Sequence, residues 1–416
     1  MATASPDARL WRNRDFNIFW AGRTLSALGD AFALIALPLL VWSNTGSVAQ
    51  MGLVTSASGV SLLITGFFAG VIVDRVDRRL FMIICDIARA LLYASIPLVW
   101  WFIGPQLWLL FVVAILGAAL SICFQIAYTA AIANLVDYDQ ITDANGRLQT
   151  TVALAAVAGP MLAGVVSGRF GPATAIGIDA CTFLISAFSL SLIRLRKMAP
   201  TQNTTTSIER PSNRFEEMSA GFRFVLHEPV LRAVALIFFL FTLVASGGYD
   251  LFIYHLKTNL EQGDYAVGTV FGVASLGAIL GGLLAPRLRR RWGFGACFLG
   301  SMVVEGLAIL LIGFAPTVPL IALAAMVMVF ANTVKLINSF SLRQQMTPDH
   351  LLGRVTAAFW LVIRAPRPLG AAAVTALGAQ IGAPTVIVLI GAAGFCIALF
   401  GLFTPARIRH PEQTNP

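Results

Sequence analysis

A chain of 416 residues that is 57% hydrophobic and only 12% charged cannot fold as a water-soluble domain without exposing large apolar patches. Its mean hydropathy of +0.80 makes lipid the expected solvent. The formal net charge of +9 would suit a nucleic-acid binder, but Lys and Arg concentrate in alternate loops, a distribution that needs no such partner and sets an orientation instead.

Residues 1–15 form a polar N-terminal segment containing Arg9, Arg12 and Arg14. The apolar run that follows is too long, and lacks the small-residue cleavage site, for a removable signal, so the first span is expected to stay. Twelve runs are long enough to cross roughly 30 Å of hydrocarbon at about 1.5 Å per residue. They are spans 1 to 12: residues 16–42, 47–73, 80–103, 107–134, 144–169, 172–195, 230–256, 264–288, 295–314, 317–342, 352–380 and 384–405. This predicts an all-α membrane protein with a first six-helix bundle over 16–195, a cytoplasmic linker over 196–229, a second bundle over 230–405 and a cytoplasmic tail over 406–416. With the N-terminus inside, the arginines after spans 2, 4, 6, 8, 10 and 12 all fall on the cytoplasmic side, and only Arg169 and Lys257 face outward. A bacterial cell membrane with both termini cytoplasmic is the expected location.

Ionisable groups inside spans are costly and therefore mark function by default. In span 1 these are Arg23 and Asp30. Asp30, near mid-span, is the first candidate for a carboxylate that exchanges protons, and Arg23 is its ion partner or an anchor near the inner surface. After span 2 the chain reads GVIVDRVDRR, in which Gly70 lets helices meet closely, Asp74 can cap or bridge a helix end, and Arg75, Arg78 and Arg79 stay cytoplasmic. In span 3, Asp86 and Arg89 stand three apart and are expected to satisfy each other. Gln125 and Tyr128 share a face of span 4. Span 5 carries AGPMLAG, where Pro160 removes a backbone donor and Gly159 and Gly164 allow a partner helix to approach. Asp179 adds a buried carboxylate in span 6.

The linker begins rich in Thr, Ser, Pro and Asn. It then places Phe215, Met218, Phe222, Val225 and Leu226 on one face, which predicts a short amphipathic helix on the cytoplasmic surface, packed on protein or lipid. Span 7 holds Tyr249 and Asp250, and span 9 holds Glu305; with Asp30, these two acids complete the set of proton-coupling candidates. In span 10, Asn332, Lys335 and Asn338 form a polar stripe that is expected to face a wet interior. Arg364 and Arg367 share a face of span 11 and are expected to pair with Glu305 or another acid. The five cysteines, Cys85, Cys123, Cys181, Cys297 and Cys396, stand singly within spans and read as packing residues.

The halves repeat in parallel orientation. GVIVDRVDRR after span 2 corresponds to GLLAPRLRRR after span 8, with a constant offset aligning Gly70 with Gly282 and Arg75, Arg78 and Arg79 with Arg287, Arg290 and Arg291. After spans 4 and 10 the chain reads NGR and LGR, each followed by a proline, Pro160 and Pro368. Parallel six-span repeats are an architecture of transporters.

On these residues the chain resembles the major facilitator superfamily over essentially its full length. GVIVDRVDRR resembles that family's signature loop, and AGPMLAG is similar to the antiporter signature of its drug exporters, with Ala163 where the second glycine of the usual pair would stand. FNIFWAGRTLSALGDAFALIALPLLVW, ANGR and MTPDHLLGRV are similar to the macrolide-efflux and siderophore-exporter branch, in which an acid occupies the place of Asp30. The resemblance implies two six-helix bundles related by a pseudo-two-fold axis and export of amphiphilic molecules by proton antiport. It also implies that spans 1, 4, 7 and 10 line the path. Arg23, Gln125, Tyr128, Tyr249, Asn332, Lys335 and Asn338 then become substrate-cavity candidates. A dedicated exporter of one metabolite, such as a siderophore or self-made antibiotic, is the first alternative, and a non-transporting sensor or scaffold is a second.

No GxxxxGK[ST] or GxSxG stretch is present, and His227, His255, His350 and His410 lack metal-ligand spacing. An enzyme is therefore not expected, nor a metal or cofactor; the proton gradient is the expected energy source. The expected partners are the bilayer, an amphiphilic small molecule and protons, for a chain functional as a monomer.

Overall fold

The computed structural model describes residues 10, 12–73, 76–132, 134–137, 140–194 and 214–411. Among them the regular structure is helical, with no strand. The helices are α1 (Arg14–Thr45), α2 (Val48–Val73), α3 (Arg78–Phe102), α4 (Leu107–Ile132), α5 (Ile141–Phe170), α6 (Pro172–Leu192) and α7 (Arg214–His227). They continue with α8 (Pro229–Ala245), α9 (Gly248–Tyr254), α10 (Asp264–Phe314), α11 (Val318–Met346), α12 (Asp349–Arg364), α13 (Arg367–Ile381) and α14 (Ala383–Gly401).

Ten helical runs among the described residues are long and apolar enough to span a bilayer. One of them, α10, has 51 residues, about twice what a bilayer accommodates, and breaks at Gly293, where φ is 80° and ψ 179°. It supplies spans 8 and 9. Span 11 is divided between α12 and α13 at Ala365 and Pro366, so each piece alone is too short. Ten runs, with α10 counted twice and the divided span added, make twelve. The chain is a multi-pass membrane protein.

Local chemistry fixes the helix ends. The Asn13 side chain accepts from Phe16 N at 3.1 Å to start α1 and donates to the Leu135 carbonyl at 3.0 Å. Asp77 caps α3 by accepting from Leu80 N at 2.9 Å. Asp74 and Arg75, expected to carry the capping and bridging in this loop, lie outside the described residues. Arg79 donates to the carbonyl of Leu190 at 2.8 Å and to that of Ser191, placing a cation on the C-terminal end of α6. Gly171 between α5 and α6 has φ 84° and ψ 154°, and Gly382 between α13 and α14 has φ 88° and ψ 143°. The same left-handed hairpin turn therefore recurs at corresponding places in the two halves.

Two compact units are formed. The first gathers Met1–Gly46, Ala57–Thr206 and Gly263–Gly268, and the second gathers Ser47–Ser56, Ser207–Gln262 and Thr269–Pro416. Close approaches explain the two short segments. Gly268 lies against the Gly164 backbone within the first unit, and Gly52 lies against Thr375 within the second. One core cluster of the first unit is formed by Phe16, Phe19, Met82, Phe124, Leu190 and their neighbours.

In the second unit α7 packs on α12, with Gly221 against the Arg354 backbone and Val225 buried, while Leu226 is 56% exposed. The side chains of Phe215 and Met218 lie outside the described residues. Past α14 the chain doubles back over the break in α10, where the amides of Phe294 and Gly295 donate to the carbonyls of Arg409 and Ile408 at 2.8 and 3.1 Å.

Candidate functional site

The first unit holds a buried charge cluster built on α1, α3 and α6. Its position follows from glycine spacing. Gly22 and Gly29, seven apart on α1, lack the side chains that would collide with Ser189 and with Asp179 and Thr182, so α6 comes up against α1 along this face. Gly159 of α5 likewise seats against Ala31. The residue between Gly29 and Ala31 is Asp30.

Asp30 meets two arginines. Its Oδ2 lies 3.3 Å from Arg23 Nη1, one helical stripe back on α1, and its Oδ1 accepts from Arg89 of α3. Arg23 also donates to Ser26 Oγ at 3.3 Å, and its guanidinium lies 5.4 Å from the ring centre of Tyr128 and 5.7 Å from that of Phe124. Arg89 lies 3.8 Å from the centre of the Phe183 ring. Asp86 and Asp179 are fully buried beside this pair. Asp86 Oδ1 is 3.9 Å from Arg89, and Asp179 Oδ1 accepts from Thr182 Oγ1 at 3.3 Å. Three carboxyl groups and two guanidinium groups thus gather in one cluster, with Asp30 34% exposed and Asp86 and Asp179 buried.

The expected Asp86 and Arg89 pair needs correction. Arg89 points its shorter contact across to Asp30 and leaves Asp86 the longer one. Spacing along one helix showed who could meet, but Arg89 reaches an acid on the neighbouring helix. Asp86, Arg89 and Asp179 were the residues that sequence reasoning left out of the site. The signal available was their bare presence inside spans.

In the second unit the helix of span 7 breaks after Ala245, with Ser246 extended and Gly247 at φ 81°. Asp250 follows the break, 2% exposed, hydrogen-bonded to Thr55, with Oδ2 unpartnered. Tyr249 is 50% exposed and stacks on Phe271, with ring centres 5.5 Å apart. Glu305 of α10 accepts from Lys335 Nζ of α11 at 2.6 Å, and Nζ lies 3.9 Å from the centre of the Phe241 ring.

Two of the three residues of the stripe Asn332, Lys335 and Asn338 are drawn into the unit. Lys335 and Asn338 are buried inside the unit, the first on Glu305 and the second donating to the Val334 carbonyl at 2.8 Å, while Asn332 is half-buried. Glu305 does not take Arg364, which lies over the Trp360 ring at 3.9 Å. The acid on the adjacent helix claims the lysine, and sequence alone could not register that. Of the span 4 candidates, Tyr128 is buried and Gln125 exposed. Arg78 opens α3, and Gly70 lies in the last turn of α2. Pro160 sits inside an α5 that stays helical from Ile141 to Phe170, and its carbonyl faces Gly268.

Comparison with known proteins accords with this architecture. The sequence model of the Major Facilitator Superfamily matches residues 19–371. The chain is 27% identical over 358 residues to the multidrug efflux pump Tap of Mycobacterium tuberculosis, covering 83% of each. It is 24% identical over 404 residues to the enterobactin exporter EntS of Escherichia coli, covering 96% of this chain and 94% of that protein. The crystal structure of the nucleoside transporter NupG superposes with a TM-score of 0.75 at 13% identity, over 94% of this chain and 98% of the other, a likeness of fold alone.

Proposed function

The chain belongs to the Major Facilitator Superfamily, and from that membership we propose that it is a secondary active exporter of amphiphilic small molecules, driven by protons that enter as the load leaves. Relatives named as a multidrug efflux pump and as a siderophore exporter, matched over more than four fifths of both partners, support the outward direction. The observation that carries proton coupling is the cluster around Asp30, in which a membrane helix places a 34% exposed carboxylate between two arginines and in reach of two buried acids. Charge of that kind is kept inside a membrane protein at a cost that function offsets.

The cycle is alternating access. Loading a proton changes the charge of the cluster and favours one state, and the amphiphile favours the other; antiport follows when the two loads compete. Each pH unit contributes about 1.4 kcal/mol per proton and each 100 mV about 2.3 kcal/mol. The location we assign is a bacterial cytoplasmic membrane with both termini inside, supported by arginines on alternate loops, and the working form is a single chain.

Accumulation of a fluorescent lipophilic cation is the test. Cells expressing the chain are expected to hold less dye than cells without it, and a protonophore is expected to erase the difference. Unchanged accumulation across a panel of amphiphiles would reduce the protein to a sensor or scaffold. Protection against one compound alone would favour a dedicated exporter, the second reading, which the similarity to EntS supports.

A further inference from the structure

Within the cluster the charges do not balance, and the imbalance has an address. Arg23 and Arg89 both face Asp30, and Asp86 keeps its 3.9 Å contact with Arg89. Asp179 differs. It is fully buried and forms no ion pair among the described residues, unlike Asp86, whose oxygens also lack a hydrogen-bond partner but lie beside Arg89; its Oδ2 has no hydrogen-bond partner, while Oδ1 receives only the Thr182 hydroxyl. The charged groups acting on it are Asp30 from α1 and Asp86 and Arg89 from α3, with Tyr93 of α3 close by; among the described residues α5 contributes none.

From this geometry we infer that Asp179 is the carboxyl group that holds the transported proton, that Asp30 is the port through which the proton reaches it, and that Arg89 is the positioning residue that registers the transfer. A proton on Oδ2 gives the orphaned oxygen a donor hydrogen and removes the one excess negative charge. Asp30 and Asp86 are then matched by Arg23 and Arg89. Asp179 packs on Gly29, immediately before Asp30 in the chain, and Asp30 is among the charged groups that act on it, so the exposed and the buried carboxyl groups belong to one neighbourhood.

Transfer needs no other reactant. A proton arriving on Asp30 frees Arg89 from its tighter contact; the guanidinium turns toward Asp86 and Asp179, and when the proton passes from Asp30 to Asp179 the guanidinium returns. Arg89 would thus take one setting for each site of the proton, the structure showing the one in which it holds Asp30. A two-setting element of this kind is what couples a buried charge to a change of state.

The assignment takes its meaning for coupling from the proposed proton-driven export, but proton binding can be read without transport. The full chain in lipid nanodiscs, free of substrate, would be compared by infrared difference spectroscopy between acidic and alkaline buffer. Wild type is expected to show a pH-dependent carboxylic C=O band. Asp179→Asn is expected to lose it, whereas Asp30→Asn keeps the band but fills it more slowly after a pH jump. Asp179→Glu serves where the amide variant does not fold, and is expected to displace the band. In vesicles, uncoupler-sensitive efflux of the dye is expected to fall about tenfold in Asp179→Asn. A band that survives in Asp179→Asn, stays unmoved in Asp179→Glu, or vanishes only in Asp30→Asn overturns the assignment. If the band behaves as expected while efflux ignores the uncoupler, the proton site stands and the proposal of proton-driven export fails.

Discussion

Lys335 and Glu305 illustrate what a single buried ion pair demands of its surroundings. With side chains 2% and 7% exposed and an aromatic ring beneath the ammonium, neither charge has access to water. Lys335→Met is expected to cost about 3 to 5 kcal/mol, because Glu305 is left as an uncompensated anion. Thermal unfolding of the purified protein measures this, and adding Glu305→Gln should restore most of the loss. That pair was not legible in the sequence, although both residues were. Spacing along one helix assigns neighbours three or four residues apart, which gave Lys335 its asparagines and Arg89 its Asp86; the dominant partner in each case stands on another helix. Arg23 and Asp30 were legible as a pair because both ride on α1.

Among the elements, the long apolar runs translated directly into helices, since a chain surrounded by lipid must satisfy its backbone internally. Less legible was where they would be joined or broken. α10 runs on through what reads as a loop, with only Gly293 leaving helical geometry, and span 11 is interrupted at Ala365 and Pro366. Close packing of elements depends on a few absent side chains. Gly164→Val is expected to push the start of α10 away from α5, because the Gly268 backbone occupies the space a side chain would need. Reduced yield of folded protein by size-exclusion chromatography, with Ala163→Gly as a tolerated neighbour, would register the effect. At the hairpin turn, Gly382→Ala is expected to cost about 1 kcal/mol in thermal stability, since φ is 88° there.

For the whole molecule, the distribution of arginines predicts sidedness that cysteine labelling can measure. In a background with the native cysteines replaced, a cysteine placed at Gln106 should react with an impermeant maleimide added to intact cells, and one at Ser341 only after the membrane is opened. The reverse pattern would invert the topology.

The C-terminal stretch that doubles back over Gly293 has a practical side. Because Ile408 and Arg409 lend their carbonyls to Phe294 and Gly295, the end of the chain works as a brace on the elbow between two membrane crossings. An affinity handle should therefore begin beyond Pro411, and a truncation before Pro405 is expected to leave that elbow open to protease while the same cut in intact protein is resisted.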